Sequence, residues 1–281
     1  MKIVEPVIVD SFESIIQNID GYVDAFKRNA LIVFRGTSIS RSEQLLLTKI
    51  FGDRMGWYPN SSEFGEQIWS YEENHSHSMN MHNRHNIKKD EILLSWHLEH
   101  MGHHNPAVGA TWNMEKFKCE TGVGNTLFVN ISDVYDMLSE EDADFLKKCK
   151  VAAFYGWALD EPGRQQIPAL HDAVEMYEPS GRNALRLSAL FKYDRETYYL
   201  HSFDGRRPSD YEDARFLELS LFFTKQIHNN EDIRQVHEWN EGDVIVVDLF
   251  LMAHAVLGGF RPEQRFFHGL WAHRKSGSKY D

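Results

Sequence analysis

The chain has 281 residues, of which 42% are hydrophobic and 26% charged, and its formal net charge is -12. This much apolar material can form a sizeable core, which excludes a disordered or fibrous protein. The acidic balance argues against binding of nucleic acid or of an anionic membrane, because both depend on Lys and Arg. The two cysteines cannot form a disulfide framework, which favours a reducing compartment.

We predict neither a signal peptide nor a membrane span. The first residues, MKIVEPVIVDSF, contain one Lys and no uninterrupted apolar stretch, unlike a signal peptide. The most apolar window, residues 244–257, carries Asp248 and His254 and is shorter than a transmembrane helix. Together these features predict a cytoplasmic protein.

The first fifth of the chain predicts two helices with a strand between them. Apolar residues recur at helical spacing over residues 11–28, and the branched run ALIVFR at 30–35 is typical of a buried strand. Ser40 and Glu43 form a capping box that begins the second helix. We expect this helix to end at Gly52 and to turn inward Leu45, Leu46, Ile50 and Phe51.

Residues 53–90 lack a regular pattern and are dominated by Asn, Ser, Gly and His, apart from a short strand expected near 67–71. About 35 residues with little regular structure is too long for an ordinary connection. We therefore predict a lid or substrate loop here.

The rest of the chain predicts a β-rich fold. Strands are expected at 92–97, 108–113, 126–130, 151–155, 184–190, 243–249 and 265–273, and helices at about 132–148 and 211–227. There is no linker, low-complexity block or internal repeat. Many short strands with a few outer helices favour a barrel or a two-sheet sandwich, and we predict a single domain over residues 1–281.

Among 15 histidines, the arrangement Trp96-His97-Leu98-Glu99 stands out. In a strand, residues i and i+2 point to one face, so His97 and Glu99 can bind one ion together. The spacing alone carries little weight, because about two such pairs are expected by chance in a chain with 42 acidic residues. A third ligand from another strand would complete the two-His, one-carboxylate set of non-haem Fe(II) sites.

Three further residues give this motif its context. His254 follows the apolar strand predicted at 243–249, and Arg265 begins the last predicted strand, 265–273. Thr126 begins the strand predicted at 126–130, after a glycine turn. Arg is suited to bidentate binding of a carboxylate. Taken singly, His254 is more often a core residue, Arg265 an edge-strand charge and Thr126 a plain strand residue.

These pieces resemble the Fe(II)/2-oxoglutarate-dependent oxygenases of the taurine dioxygenase (TauD/TfdA-like) family, and they follow the family's order. The matching segments are ALIVFRG at 30–36, EQLLLTKIFGD at 43–53, WHLEH at 96–100, GNTLFVNISDVYDMLS at 124–139, EPSGRNAL at 178–185 and GDVIVVDLFLMAHAVLGGFRPEQR at 242–265. No single piece is specific, but six pieces in order over most of the chain are.

The resemblance implies a mainly β fold with flanking helices around a double-stranded β-helix (jelly-roll, cupin-like) core. It implies Fe(II) bound by His97, Glu99 and His254. It also implies 2-oxoglutarate bound through its distal carboxylate by Arg265 and Thr126, with O2 at the remaining position. The implied reaction hydroxylates an unactivated C–H bond and releases succinate and CO2, with desaturation and ring closure left open.

The chain departs from the family pattern at three places. Glu99 stands where Asp is commoner, although a few amino-acid-modifying relatives also have Glu. Gly269 stands where sulfonate-using members have a second Arg, which argues against an alkylsulfonate substrate. Residues 74–90 look unlike typical members, so substrate contacts are not transferred.

We expect a small polar substrate, an amino acid or an amine, because an acidic protein attracts cations over long distances. No nucleic-acid or membrane partner is expected, and a homo-oligomer is left open.

Two other interpretations are left open. A zinc hydrolase could use the same three ligands, but it needs a separate general base, and the chain has no H-E-x-x-H motif. A non-catalytic, cupin-like metal- or ligand-binding protein would leave Arg265 and Thr126 without a role. Metal content distinguishes the first interpretation from an oxygenase, and 2-oxoglutarate binding distinguishes the second.

Overall fold

The computed structural model describes residues 2–59, 67–69, 88, 91–99, 101–102, 104–154, 168–187, 198–261 and 264–274. Within these residues the α-helices are α1 (Phe12–Gln17), α2 (Ile19–Asn29), α3 (Arg41–Met55), α4 (Ile131–Tyr135), α5 (Glu140–Lys147) and α6 (Asp210–Asn229). None of the described helices is long and apolar enough to cross a membrane.

The described strands, in chain order, are β1 (Lys2–Ile3), β2 (Val7–Ile8), β3 (Leu31–Arg35), β4 (Trp57–Pro59), β5 (Gln67–Trp69), β6 (Ile92–His97), β7 (Gly109–Phe117), β8 (Thr126–Asn130), β9 (Cys149–Ala153), β10 (Ala169–Asp172), β11 (Val174–Tyr177), β12 (Arg182–Leu185), β13 (Tyr198–Phe203), β14 (Arg234–His237), β15 (Val244–Val247), β16 (Met252–Leu257) and β17 (Arg265–Arg274). A three-stranded sheet, β10-β9-β13, and the β11-β12 hairpin accompany two larger sheets.

The two larger sheets face each other. One has the order β2-β3-β15-β7-β17-β4, with β5 also paired to β17, and the other has the order β1-β14-β8-β16-β6. The Trp112 ring on β7 lies 5.1 Å from the ring of His254 on β16 and stacks 6.0 Å from the ring of Phe128 on β8. The inner faces of both sheets meet at these contacts, so the predicted mainly β, jelly-roll fold with flanking helices is confirmed.

Helix α3 packs on the outer face of the larger sheet, and its buried side differs from the prediction. Ser40 and Glu43 form the expected capping box. Gln44 is fully buried and donates to the carbonyls of Thr111 and His268 on adjacent strands. Leu46, predicted to point inward, is 47% exposed. The run of three leucines covers more than one side of a helix, so hydrophobicity alone does not define its buried side.

The helix also continues past its predicted end. Gly52 lies inside α3, which ends at Met55 and is capped by Gly56 in the left-handed region at φ 73°. A Cβ on Gly52 would lie 3.0 Å from the carbonyl oxygen of Trp57. Gly52 therefore permits the close approach of β4 rather than ending the helix.

Most predicted strands are confirmed, and the predicted ranges 92–97 and 126–130 match β6 and β8. The predicted helices at 11–28 and 132–148 are each split into two, whereas 211–227 is one helix, α6. Strand β16, which carries His254, was not predicted. Asp248 accepts hydrogen bonds from the backbone N–H groups of Phe250 and Leu251, and this turn divides the apolar run into β15 and β16.

The predicted lid or substrate loop at 53–90 is described only in part. Residues 53–55 complete α3 and residues 57–59 form β4, so the expectation of little regular structure is wrong there. The short strand expected near 67 is confirmed as β5, which pairs with β17. Apart from Gly56 and Lys88, the rest of the segment lies outside the described residues.

Candidate active site

Three potential metal ligands meet on the inner face of the smaller sheet. Glu99 Oε2 lies 3.8 Å from His97 Nε2 and 3.4 Å from His254 Nε2. One ligand atom from each residue falls within 4.8 Å of the others. His97 and His254 are 9% and 5% exposed, and the Glu99 side chain is 14% exposed. Two imidazoles and one carboxylate are the donor set of a non-haem Fe(II) site, so these residues fit that metal.

The backbone brings the three residues together in a way the sequence pattern predicted only in part. His97 and His254 are paired residues on β6 and β16. Strand β6 ends at His97, and Glu99 lies in the turn that follows. The carboxylate thus reaches the histidines from a turn rather than from the alternation of a strand, which corrects that detail of the prediction.

Aromatic residues enclose the histidine ligands. The ring of Trp112 lies 5.1 Å from that of His254, and the ring of Phe128 lies 6.3 Å from it. Trp96 and Leu98, on either side of His97, are 2% and 1% exposed. Packing of this kind restricts side-chain rotation and holds the ligand atoms in place.

Arg265 and Thr126 are also brought together, as predicted. They are 2% and 1% exposed, and Arg265 Nη2 donates to Thr126 Oγ1 at 3.4 Å. Gly124, in the left-handed region at φ 69°, begins this arrangement: a Cβ there would lie 3.0 Å from the Phe260 ring and 3.5 Å from Arg265 Cδ. The glycine of the Gly-x-Thr sequence therefore leaves room for the guanidinium and its neighbour.

Three aromatic rings surround the Arg265 guanidinium, and sequence reasoning did not assign them. The guanidinium carbon lies 5.6, 5.5 and 5.2 Å from the ring centroids of Trp239, Phe260 and Phe267. Such distances are typical of cation–π contacts. Trp239 Nε1 also donates to Thr126 Oγ1 at 2.9 Å. The only sequence signal was the position of Trp239 in the Trp-Asn-Glu-Gly-Asp turn.

A cluster of polar side chains, Arg35, His237 and Asp243, contacts Trp239 through the His237 ring. His237 Nε2 lies 3.1 Å from Asp243 Oδ2, and Arg35 donates to both Asp243 oxygens. Burial lowers the pKa of His237 and would raise that of Asp243. Hydrogen bonds from Arg35 and from the backbone N–H of Asn240, together with the nearby His237 imidazole, outweigh burial and hold the Asp243 pKa below its ordinary value.

The inner face of β17 next to the metal ligands is uncharged. Gly269 is paired with Trp112, whose ring contacts His254, so Gly269 shares this inner face. Between Arg265 and His273 the inward residues are Phe267, Gly269 and Trp271. A Cβ on Gly269 would lie 2.5 Å from the Trp271 indole, so this indole occupies the space over Gly269.

A jelly roll with this donor set defines the class of non-haem iron oxygenases. The profile described as "Taurine catabolism dioxygenase TauD, TfdA family" matches residues 10–271, and the chain belongs to this family. It is accordingly a 2-oxoglutarate-dependent dioxygenase, with iron as its metal and 2-oxoglutarate and O2 as cosubstrates. Membership favours this activity over the zinc hydrolase and the non-catalytic binding protein.

Solved structures have the same fold. A crystal structure of AAD-2 in complex with Mn(II) and N-oxalylglycine has 16% sequence identity and a TM-score of 0.61, covering 98% of this chain and 92% of AAD-2. A taurine dioxygenase from Burkholderia xenovorans has 16% identity and a TM-score of 0.60, covering 92% of this chain and 80% of its own. No significant match was found among curated protein sequences.

Proposed function

We propose that the chain hydroxylates an unactivated C–H bond of a small polar molecule, an amino acid or an amine, using Fe(II), 2-oxoglutarate and O2 and releasing succinate and CO2. The observation that carries the proposal is the group His97, Glu99 and His254, whose ligand atoms fall within 4.8 Å. The buried Arg265–Thr126 pair lies in the same interior, between the two sheets.

The three ligands would hold the metal and leave room for the cosubstrates. His97 and His254 each direct Nε2 towards Glu99, so two imidazole nitrogens and one carboxylate oxygen converge on one point. When bound, Fe(II) supplies the redox chemistry that activates O2. The aromatic walls formed by Trp112 and Phe128 exclude water from the side of His254.

Arg265 would bind the distal carboxylate of 2-oxoglutarate. A guanidinium that is 2% exposed forms a strong, charge-assisted pair with a carboxylate, because little water competes for it. The surrounding aromatic rings keep the guanidinium in place before the cosubstrate binds. Thr126 adds a hydroxyl group on the same side.

The substrate class rests on charge. The inward residues of β17 nearest the metal ligands, Phe267, Gly269 and Trp271, offer no cation to an anionic substrate group. The net charge of -12 favours approach of a cationic one. An uncharged, aromatic wall also suits an ammonium group, which is attracted to ring faces.

Anaerobic titration tests the cofactor part of the proposal. Apoprotein is titrated with Fe(II) and then with 2-oxoglutarate, and the weak visible charge-transfer band of the chelate is recorded. We expect the band in the wild type and in the control His228→Ala, which changes an exposed histidine on α6, but not in His97→Ala. Absence of the band in the wild type, with tight Zn(II) binding, would refute the proposal.

A substrate screen tests the second part. Succinate formation is measured with free amino acids, amines and alkylsulfonates, and the oxidised product is identified by mass. Stimulation by a compound bearing an ammonium group, with one oxygen added to it, supports the proposal. Stimulation by alkylsulfonates alone would contradict the substrate class while leaving the cofactor chemistry intact.

A further inference from the structure

Trp239 makes a contact whose chemistry goes beyond packing. Its indole Nε1 donates to Thr126 Oγ1 at 2.9 Å, and Arg265 Nη2 donates to the same oxygen at 3.4 Å. Trp239 and Thr126 are 3% and 1% exposed. The Thr126 hydroxyl thus accepts from two N–H donors in an interior where water does not compete.

These two contacts use the acceptor lone pairs of the Thr126 hydroxyl and leave its proton for another partner. A threonine hydroxyl has one proton and two acceptor lone pairs. Indole and guanidinium groups donate and do not accept, so neither can take the Thr126 proton. Within the part of the chain that the structure describes, no acceptor for that proton is found. The proton therefore points away from Trp239 and Arg265, as a donor for a ligand.

The fold explains why Trp239 reaches this oxygen. His237 on β14 is paired with Thr126 on β8, and Trp239 follows two residues later. Its ring packs edge-on against His237 at 4.5 Å and lies 5.6 Å from the Arg265 guanidinium carbon. One indole thus contacts both Thr126 and Arg265.

We infer that Trp239 is a positioning residue for the distal carboxylate of the cosubstrate, holding Thr126 as a hydrogen-bond donor. This inference rests on the proposed function. A carboxylate accepts hydrogen bonds only. Without the indole N–H, only the longer contact from Arg265, at 3.4 Å, would orient the Thr126 hydroxyl, and part of its orientation for the carboxylate would be lost. Preorganised donors bind more tightly because less freedom is lost on binding.

The test measures binding rather than turnover. Trp239→Phe keeps an aromatic ring and removes the N–H, and affinity for 2-oxoglutarate is measured anaerobically with Fe(II). A second ligand, 2-oxovalerate, keeps the chelating end and lacks the distal carboxylate. We expect roughly fivefold weaker binding of 2-oxoglutarate, the size of one net hydrogen bond, and unchanged binding of 2-oxovalerate. Trp57→Phe, at a 3% exposed tryptophan in the core, is the matched control and should bind both ligands like the wild type.

A double-variant comparison separates positioning from general disturbance. In a Thr126→Val background, Trp239→Phe should have no further effect on 2-oxoglutarate affinity, because the hydroxyl through which it acts is gone. Incorporating 3-benzothienylalanine at position 239 replaces the N–H by sulfur and keeps the ring shape. It should reproduce the loss seen with Trp239→Phe, and it provides the measurement if that variant folds poorly.

Three outcomes would overturn the inference: wild-type affinity for 2-oxoglutarate in both position-239 variants, an equal loss for 2-oxovalerate, or an undiminished loss in the Thr126→Val background. Each of these leaves the proposed function standing. A wild-type protein that forms no chelate with Fe(II) and 2-oxoglutarate would overturn both.

Discussion

His97 and His254 are paired across neighbouring antiparallel strands, and their imidazole rings approach to 4.0 Å between centroids. Direct cross-strand neighbours point to the same face of a sheet, so the register of β6 and β16 places both rings towards the interior. A one-residue slip would turn one ring to the outer face. The pairing of these two strands is therefore a requirement for the metal site as well as for the fold.

Replacement of Glu99 by Ala should abolish turnover and strongly reduce iron content while leaving the fold intact. The carboxylate supplies one of three ligands, but its side chain comes from the turn after β6 rather than from a strand of the sheet. We therefore expect the free energy of unfolding of the apoprotein to change by less than about 1 kcal/mol. Iron content, succinate formation and urea unfolding are measured together, with Glu120→Ala at an exposed position as control. Full iron content and turnover in Glu99→Ala would remove Glu99 from the site.

Replacement of Arg265 by Ala should raise the KM for 2-oxoglutarate about 100-fold or more, because a buried carboxylate would lose its charge-assisted partner, a loss of about 3 kcal/mol. Steady-state kinetics at saturating iron measure this change. Arg261→Ala, at an exposed position on the same connection, should leave the KM unchanged.

Arg274, at the far end of β17, is a second arginine that could bind a carboxylate. It donates to Glu175 at 2.9 Å and lies 4.7 Å from the Phe250 ring, so its guanidinium is engaged away from Thr126. An unchanged KM in Arg265→Ala would mean that another arginine binds the cosubstrate.

The sequence permits prediction of the ligands but not of their surroundings. Metal and carboxylate chemistry restrict the residue types, so His97, Glu99, His254 and Arg265 could be selected from motif and order. Trp239 could not, because aromatic residues are common in every core. Its contact with Thr126 depends on the pairing of β14 with β8, which no local pattern reveals.

The main error in predicting secondary structure, the missed strand β16, has a similar cause. Residues 244–257 form the most apolar window, in which one strand was predicted at 243–249, and the hydrogen bonds of Asp248 to the following N–H groups divide this window into β15 and β16. Similarly, Leu47 of α3 is fully buried whereas its neighbour Leu46 is 47% exposed, although the two side chains are equally hydrophobic. Secondary structure followed the sequence where periodicity was strong, and tertiary contacts decided the rest.

Acid should destabilise the protein through His171. Its Nε2 contacts the Met101 carbonyl at 2.8 Å, and burial, assisted by the charge of Arg186, lowers its pKa to about 4. In the unfolded chain the His171 imidazole binds a proton near pH 6.5, whereas in the folded protein it stays neutral down to about pH 4. The contribution of His171 to the free energy of unfolding is therefore complete above pH 6.5 and is lost as the pH falls to 4. The loss is about 3 kcal/mol.

Urea unfolding at pH 7.5 and pH 4.5 tests this. The wild type should lose about 2–3 kcal/mol more than His171→Gln on acidification, whereas His201→Gln, at an exposed position on β13, should behave like the wild type. Equal pH dependence in wild type and His171→Gln would show that His171 does not titrate differently in the folded state.

Gly109 should not tolerate a methyl group. A Cβ there would overlap atoms of the Trp57 ring, which is 3% exposed and packs edge-on against Phe26. Gly109→Ala should lower the free energy of unfolding by about 1–3 kcal/mol through overpacking.

Gly21→Ala is the matched control, because Gly21 lies within α2 and a Cβ added to it would meet no atom within 4 Å. This variant should raise the free energy of unfolding by about 0.5–1 kcal/mol. In a Trp57→Phe background the Gly109→Ala loss should shrink, since Cε3 and Cζ3 of the indole, the two atoms that overlap most, are removed. A loss of equal size in both backgrounds would assign the cost to the backbone of β7 instead of to the contact between Gly109 and Trp57.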